Sequence, residues 1–133
     1  MKFFSDLSVS EAKFLNPLSL AFVGDAVFTL YARESVTVAS NALSGALHCK
    51  ATGKVKAASQ AALADLLVSL FTEEEAGVYR RAKNSRHRSA AKNASSEDYN
   101  KATGLEAVLG FLYLTGNETR IKQLLAIEVT SSK

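Results

Sequence analysis

Cysteine is almost absent. Cys49 stands alone in 133 residues, so neither an intramolecular disulfide nor a cysteine-built metal cage can form within one chain. A reducing compartment is the natural setting, and Cys49 is expected simply to pack. No apolar stretch runs uninterrupted to transmembrane length, and Met1-Lys2-Phe3-Phe4-Ser5-Asp6 has no hydrophobic segment of the signal-peptide kind. Both features point to a cytoplasmic protein. Histidine is limited to His48 and His87, which lie in different segments without the His-Glu-x-x-His spacing of a zinc site. His48 is expected to be packed or hydrogen-bonded. There is no glycine-rich phosphate loop and nothing like a Ser-His-Asp constellation.

Acid is missing from two long stretches. From Ser35 to Ala64 the only charges are Lys50, Lys54 and Lys56. From Ala76 to Ser96 there are six cations and no anion: Arg80, Arg81, Lys83, Arg86, Arg88 and Lys92. The net charge of +3 conceals this segregation, which creates a local positive field suited to a polyanionic partner.

What is plentiful is apolar surface, 47% of residues, enough for one domain with a real core. Its spacing is helical throughout, so the fold class is all-α, a single domain over residues 1–133, with no segment that reads as a strand. The first helix is expected from Pro17, a good first-turn residue, to Glu34. A short second helix should open at Ser40 or Asn41 and end near Gly53, and an alanine-rich third should run from Lys54 to Leu70. Thr72 followed by Glu73, Glu74 and Glu75 resembles a capping box opening the fourth. Residues 84–94 have no amphipathic period and should form an exposed, basic, mobile loop. Ser95 or Ser96 starts a fifth helix reaching Leu114, Thr115-Gly116-Asn117 breaks it, and Glu118 to Ile127 forms the last, with residues 129–133 as a frayed tail.

Two acids violate the pattern. Asp25 sits in Leu18-Ser19-Leu20-Ala21-Phe22-Val23-Gly24-Asp25-Ala26-Val27-Phe28, and Glu106 interrupts Ala102-Thr103-Gly104-Leu105-Glu106-Ala107-Val108-Leu109-Gly110. A helix apolar on nearly every side is expected to be buried, and a buried unpaired charge costs several kcal/mol. Neither acid has an evident Arg or Lys partner, so both are expected to face one bound cation. Small residues beside them, Ala21 and Gly24 on one helix, Ala102, Thr103 and Gly110 on the other, would let the two backbones approach. Of the remaining acids, Glu73, Glu74, Glu75, Glu97, Asp98 and Glu118 are explained as helix-start residues and Asp65 as a solvated one. A single buried acid is as often structural as functional; two together favour a site. Two other readings stay open, an RNA-binding module without chemistry and a helical interaction protein whose acids are structural.

The segments around these acids carry a resemblance. Leu20-Ala21-Phe22-Val23-Gly24-Asp25-Ala26-Val27 resembles the signature of the ribonuclease III catalytic domain, and Thr103-Gly104-Leu105-Glu106-Ala107-Val108-Leu109-Gly110-Phe111-Leu112-Tyr113-Leu114 is similar to its second acidic helix. The likeness is strongest to Mini-ribonuclease III, the short bacterial branch without a separate double-stranded-RNA-binding domain. It implies an all-helical, ribonuclease III-type endonuclease domain, a homodimer that cuts double-stranded RNA with Mg²⁺ to leave 5′-phosphate and 3′-hydroxyl ends. It also implies that Asp25 and Glu106 are the catalytic, metal-holding residues. Leu18, Ala21 and Thr103 occupy places where other members carry further acids, a reduction much of which the short branch shares. The resemblance further points to maturation of the large-subunit (23S) ribosomal RNA precursor, on an assembling large ribosomal subunit. RNA grip would then fall to the catalytic domain, with Lys83, Arg86, His87, Arg88 and Lys92 as the candidate RNA-binding residues.

Overall fold

The computed structural model describes residues 2–40, 44–85 and 96–131, and these are helical with no strand among them. Seven helices follow in order: α1 Val9–Phe14, α2 Pro17–Ala39, α3 Ser44–Val55, α4 Ala57–Leu67, α5 Glu73–Ser85, α6 Ser96–Leu114 and α7 Glu118–Ser131, with a short 3-10 turn over Val68–Leu70 after α4. The all-α expectation holds. The short α1 is an addition. Its signal is local: Glu11 N–H donates to Ser8 Oγ at 3.0 Å, and Ser8 N–H donates back to the Glu11 carboxylate at 2.9 Å, a reciprocal cap encoded by Ser-x-x-Glu.

Several boundaries differ from those expected. α2 opens as anticipated, with Asn16 Oδ1 accepting from Leu18 N–H at 2.8 Å and Pro17 in the first turn. It continues past Glu34 to Ala39 because Val36 packs with Ala32 and Ala51 in a small satellite cluster, and that tertiary contact outweighs the weak helix preference of β-branched residues. The anticipated third helix begins later, at Ala57, because Lys56 adopts an extended conformation between α3 and α4. Its C-terminal end is a 3-10 turn. α7 runs to Ser131 rather than Ile127. Most of the expected basic loop, including Arg86, His87, Arg88 and Lys92, lies outside the described residues, as do Asn41 and the last two residues of the expected tail.

α6 is the axis of the fold. From Ala102 to Leu112 every residue except Glu106 is buried, and α1, α2, α4, α5 and α7 all pack against it. A helix buried on all sides must be apolar all round, which is the pattern of this segment. Phe28, Leu20, Leu67, Leu105, Leu109, Leu124, Val78 and Val108 form the fully enclosed centre. Where α6 meets α5, Gly104 lies against the Tyr79 ring, which a Cβ there would approach to 2.7 Å.

The equally apolar α2 behaves differently. Its inner face carries Leu20, Ala21, Gly24, Phe28, Ala32 and Val36, but Phe22 is 82% and Leu30 66% exposed. The expectation that α2 is buried all round is therefore wrong for a single chain, and with it the expectation that Asp25 is buried: Asp25 is exposed. Cys49 and His48 are exposed as well, because α3 uses only the side carrying Leu47 and Ala51 to reach its neighbours.

Candidate active site

The crossing of α2 over α6 fixes the geometry of the site. A Cβ built on Gly24 would collide with the carbonyl oxygen of Glu106, and one built on Gly110 would collide with the carbonyl oxygen of Leu20. Each helix thus offers a glycine to a carbonyl of the other, and the backbones touch. Close approach through small residues was readable from the sequence. Its consequence is that Asp25, next to Gly24, and Glu106, whose own carbonyl faces Gly24, open onto one cleft.

That cleft, about 380 Å³, is lined by Leu18, Ala21, Phe22 and Asp25 from α2, by Ala57 and Gln60 from α4, and by Tyr99, Ala102, Thr103 and Glu106 from α6. No Lys or Arg is among them. Leu18, Ala21 and Thr103, the three positions expected to have lost a carboxylate, all line this same space. The Thr103 hydroxyl is occupied within its own helix, donating to the Tyr99 carbonyl at 3.0 Å. Glu106 is half-buried rather than enclosed, and the Gln60 amide Nε2 donates to its Oε2 at 3.4 Å. Gln60 itself is 2% exposed. It went unnoticed as a site residue, although a lone carboxamide in Ala57-Ala58-Ser59-Gln60-Ala61-Ala62-Leu63-Ala64 breaks an otherwise small and apolar run.

The most deeply buried acid lies elsewhere. Glu75 is 3% exposed. It completes the predicted capping box, taking the Thr72 N–H at 3.0 Å while Thr72 Oγ1 accepts from Glu75 N–H at 3.1 Å, but capping is only half of its role. Arg120 of α7 reaches it with Nε at 2.8 Å and Nη2 at 2.9 Å, and also donates to the Leu70 carbonyl at 2.7 Å. Burial alone would raise the Glu75 carboxyl, but the Arg120 guanidinium and the Thr72 cap together hold it below its ordinary value. Asp65 is exposed, as expected, but is not merely solvated: Lys101 Nζ sits 3.0 Å from its carboxylate.

Of the expected RNA-binding residues only Lys83 is described. It lies in the last turn of α5 with its Nζ 6.0 Å from the centre of the Tyr79 ring.

The ribonuclease III domain model matches residues 18–117, a span containing every residue of the cleft. The chain belongs to the ribonuclease III family. Relatives agree: Mini-ribonuclease 3 of Thermoanaerobacter sp. (strain X514) is 39% identical over 115 residues, 86% of this chain and 81% of that protein. Mini-ribonuclease 3 of Staphylococcus aureus is 38% identical over 118 residues, 87% and 88% of the two chains. A crystal structure of a Fusobacterium nucleatum protein has the same fold, with a TM-score of 0.82 and 28% identity over 90% of this chain and 96% of that one. The chain is thus placed in the Mini-ribonuclease 3 branch, among the endoribonucleases.

A divalent cation fits what the cleft offers. Two carboxylates face one open space, and among the described residues that line it there is no Lys or Arg; Mg²⁺ is commonly held by one or two carboxylates plus substrate phosphate while keeping several waters. Among the described residues no group of three or more His, Cys, Asp or Glu gathers, so these residues form no all-protein cage of the calcium or zinc kind.

Proposed function

We propose that the chain is a Mg²⁺-dependent endoribonuclease that hydrolyses double-stranded RNA, with Asp25 and Glu106 holding the metal. The observation that carries this is the convergence of these two carboxylates on one open cleft whose described lining residues include no Lys or Arg. Bound there, Mg²⁺ would supply Lewis-acid polarisation of the scissile phosphate and a more acidic water. The protein's own contribution is positional. Asp25 and Glu106 present negative charge from two helices locked at the glycine crossing, Leu18 and Phe22 give the cleft an apolar lip, and Thr103, turned back onto Tyr99, adds no competing donor. No nucleophilic side chain is needed, and the family resemblance assigns 5′-phosphate and 3′-hydroxyl products.

Duplex RNA is read by shape, 2′-hydroxyls and phosphates. Lys83, Arg86, His87, Arg88 and Lys92 would provide phosphate contacts. The exposed apolar side chains Phe22 and Leu30 of α2, with the exposed Phe14 and Leu18, support a homodimer, since apolar surface left open on one chain can be covered by a second copy. Two-fold symmetry would give the dimer two clefts, one for each RNA strand. The substrate we assign by family resemblance is the large-subunit (23S) ribosomal RNA precursor on an assembling subunit, in the cytoplasm; among the described residues no helix is long and apolar enough to cross a membrane.

Incubating the purified protein with duplex RNA in Mg²⁺, and in parallel with chelator, tests the reading. Cutting only with Mg²⁺ is expected. Binding without cutting would instead favour an RNA-binding module, and neither would favour a helical interaction protein.

A further inference from the structure

The cleft also holds a carboxamide side chain whose burial core packing does not explain. Gln60 is 2% exposed, on the face of α4 that packs toward α6, among Ala61, Leu63, Ala64 and Leu67. A carboxamide carries two donors and an acceptor oxygen, and burying such a group costs free energy unless its partners are present. Core packing alone would be served by Leu or Met at this position without that cost. The Gln60 side chain makes one hydrogen bond, from Nε2 to Glu106 Oε2 at 3.4 Å. Because an ionised carboxylate only accepts, the amide nitrogen and not the oxygen must face Glu106. Its Oε1 therefore has no partner among the described residues, in a side chain that lines the cleft.

We propose that Gln60 is a positioning residue of the metal site. Its Nε2 donates to one oxygen of Glu106 and so restrains the carboxylate's rotation beside the cation site. Its Oε1 is left to accept a hydrogen bond from water in the cleft. This inference rests on the proposed metal reading of Asp25 and Glu106 and adds to it a reason why two carboxylates suffice. Ligating carboxylates are commonly held by hydrogen bonds from a neighbouring shell, and loss of such a partner costs about 10- to 100-fold in metal affinity or activity. Leu18, Ala21 and Thr103 leave this cleft with fewer carboxylates than other family members are expected to carry, so the orientation of each remaining one matters more. Gln60 reaches Glu106 from a third helix, which ties α4 to the α2–α6 crossing at the point where the chemistry would occur.

The test compares Q60M and Q60E with the wild type and with D25N. Mn²⁺ binding without RNA is measured by the electron paramagnetic resonance of the free ion, folding by circular dichroism melting, and cutting by steady-state kinetics on one duplex RNA. Q60M keeps the length and apolar body of the side chain and should fold. Its Mn²⁺ affinity should fall about tenfold and its kcat should fall with it, while KM for RNA stays unchanged. Q60E places a third carboxylate in the cleft and should bind Mn²⁺ roughly threefold more tightly or better, since added ligand charge raises affinity. Folded Q60M with wild-type Mn²⁺ affinity and kcat would overturn the proposal. Should Q60M fail to fold, unchanged Mn²⁺ affinity in Q60E would overturn it equally. D25N separates the two levels of inference: if D25N binds Mn²⁺ like the wild type, the metal reading itself has failed, whereas loss in D25N with retention in Q60M removes Gln60 alone.

Discussion

Two places in this molecule hold acidic side chains against the core, and they solve the electrostatic problem in opposite ways. Glu75 is almost fully buried and is closed off by the Arg120 guanidinium and its own helix cap, so every oxygen is committed. Asp25 and Glu106 lie in a cleft open to solvent whose described lining residues include no Lys or Arg. Removing two charges from water is expensive, and only close hydrogen-bonded pairing recovers the cost; leaving them partly in water avoids it. A satisfied buried acid is thus a structural fastener, while acids left partly in water on a rigid frame are accessible to a ligand.

The largest expected effect tests the open pair. Asp25→Asn and Glu106→Gln preserve shape while removing charge, and each should lower cutting of duplex RNA by about 10³-fold, since a bound metal stabilises the transition state by several kcal/mol. Their melting temperatures should stay near that of the wild type, and the double variant should be little worse than either single, because groups serving one ion act as a unit. Near-normal cleavage by a folded Asp25→Asn variant would erase the distinction between the two places.

Next comes the frame. Gly24→Ala drives a methyl group into the Glu106 carbonyl. Neither backbone can yield without separating α2 from α6, so a loss of about 3 kcal/mol is expected, at the upper end for overpacking. Urea unfolding measures it, and a wild-type midpoint would show that the crossing is looser than described.

Breaking the closed pair should cost a similar or smaller amount of stability and nothing in chemistry. Glu75→Ala leaves the partly exposed Arg120 guanidinium without its main partner and should cost about 3 kcal/mol, while the folded fraction keeps the wild-type kcat. The pair also predicts a pH dependence. Because the folded Glu75 carboxyl lies below its ordinary value of 4.5, its contribution is fully present above that value and is lost as pH falls through the lowered one. The wild type should therefore lose melting temperature more steeply than Glu75→Gln as the solution is acidified below that point. Parallel acid limbs in the two proteins would refute the assignment.

The smallest effect belongs to the basic segment. Replacing Arg86, Arg88 and Lys92 together by Ala should weaken binding of two unrelated RNA duplexes alike. It should also flatten log affinity against log salt by roughly 0.7 to 0.9 per lost phosphate contact, the values known for DNA. An unchanged slope would move the search for RNA contacts to Lys50, Lys54 and Lys56.

Most of the fold was legible because helix signals are local. Pro17, the Thr72-to-Glu75 box and Thr115-Gly116-Asn117 mark ends that the structure keeps, and the Ser8-to-Glu11 box that opens α1 is an equally local signal. Asp25 and Glu106 stood out as breaks in apolar runs, and the small residues beside them correctly announced a close crossing. Their degree of burial was misjudged because α2 and α6 look alike in sequence. Only the three-dimensional arrangement reveals that α6 is wrapped by five helices, whereas α2 leaves Phe22 and Leu30 uncovered. The partners of Gln60 and Arg120 were illegible for a related reason: each acts on a residue more than forty positions away, and no periodicity reports on such a partner.

The glycine crossing has one further implication, for how the protein can vary. The separation of the two cleft carboxylates is gauged by main chain against main chain, at Gly24 with Glu106 and Gly110 with Leu20, not by the side chains packed around them. Surrounding core residues such as Phe28 or Leu105 can be exchanged for others of similar volume, and the interior can repack without resetting that gauge. Sequence drift in most of the core is thereby uncoupled from the dimensions of the cleft, while two positions without side chains carry the tolerance of the whole device.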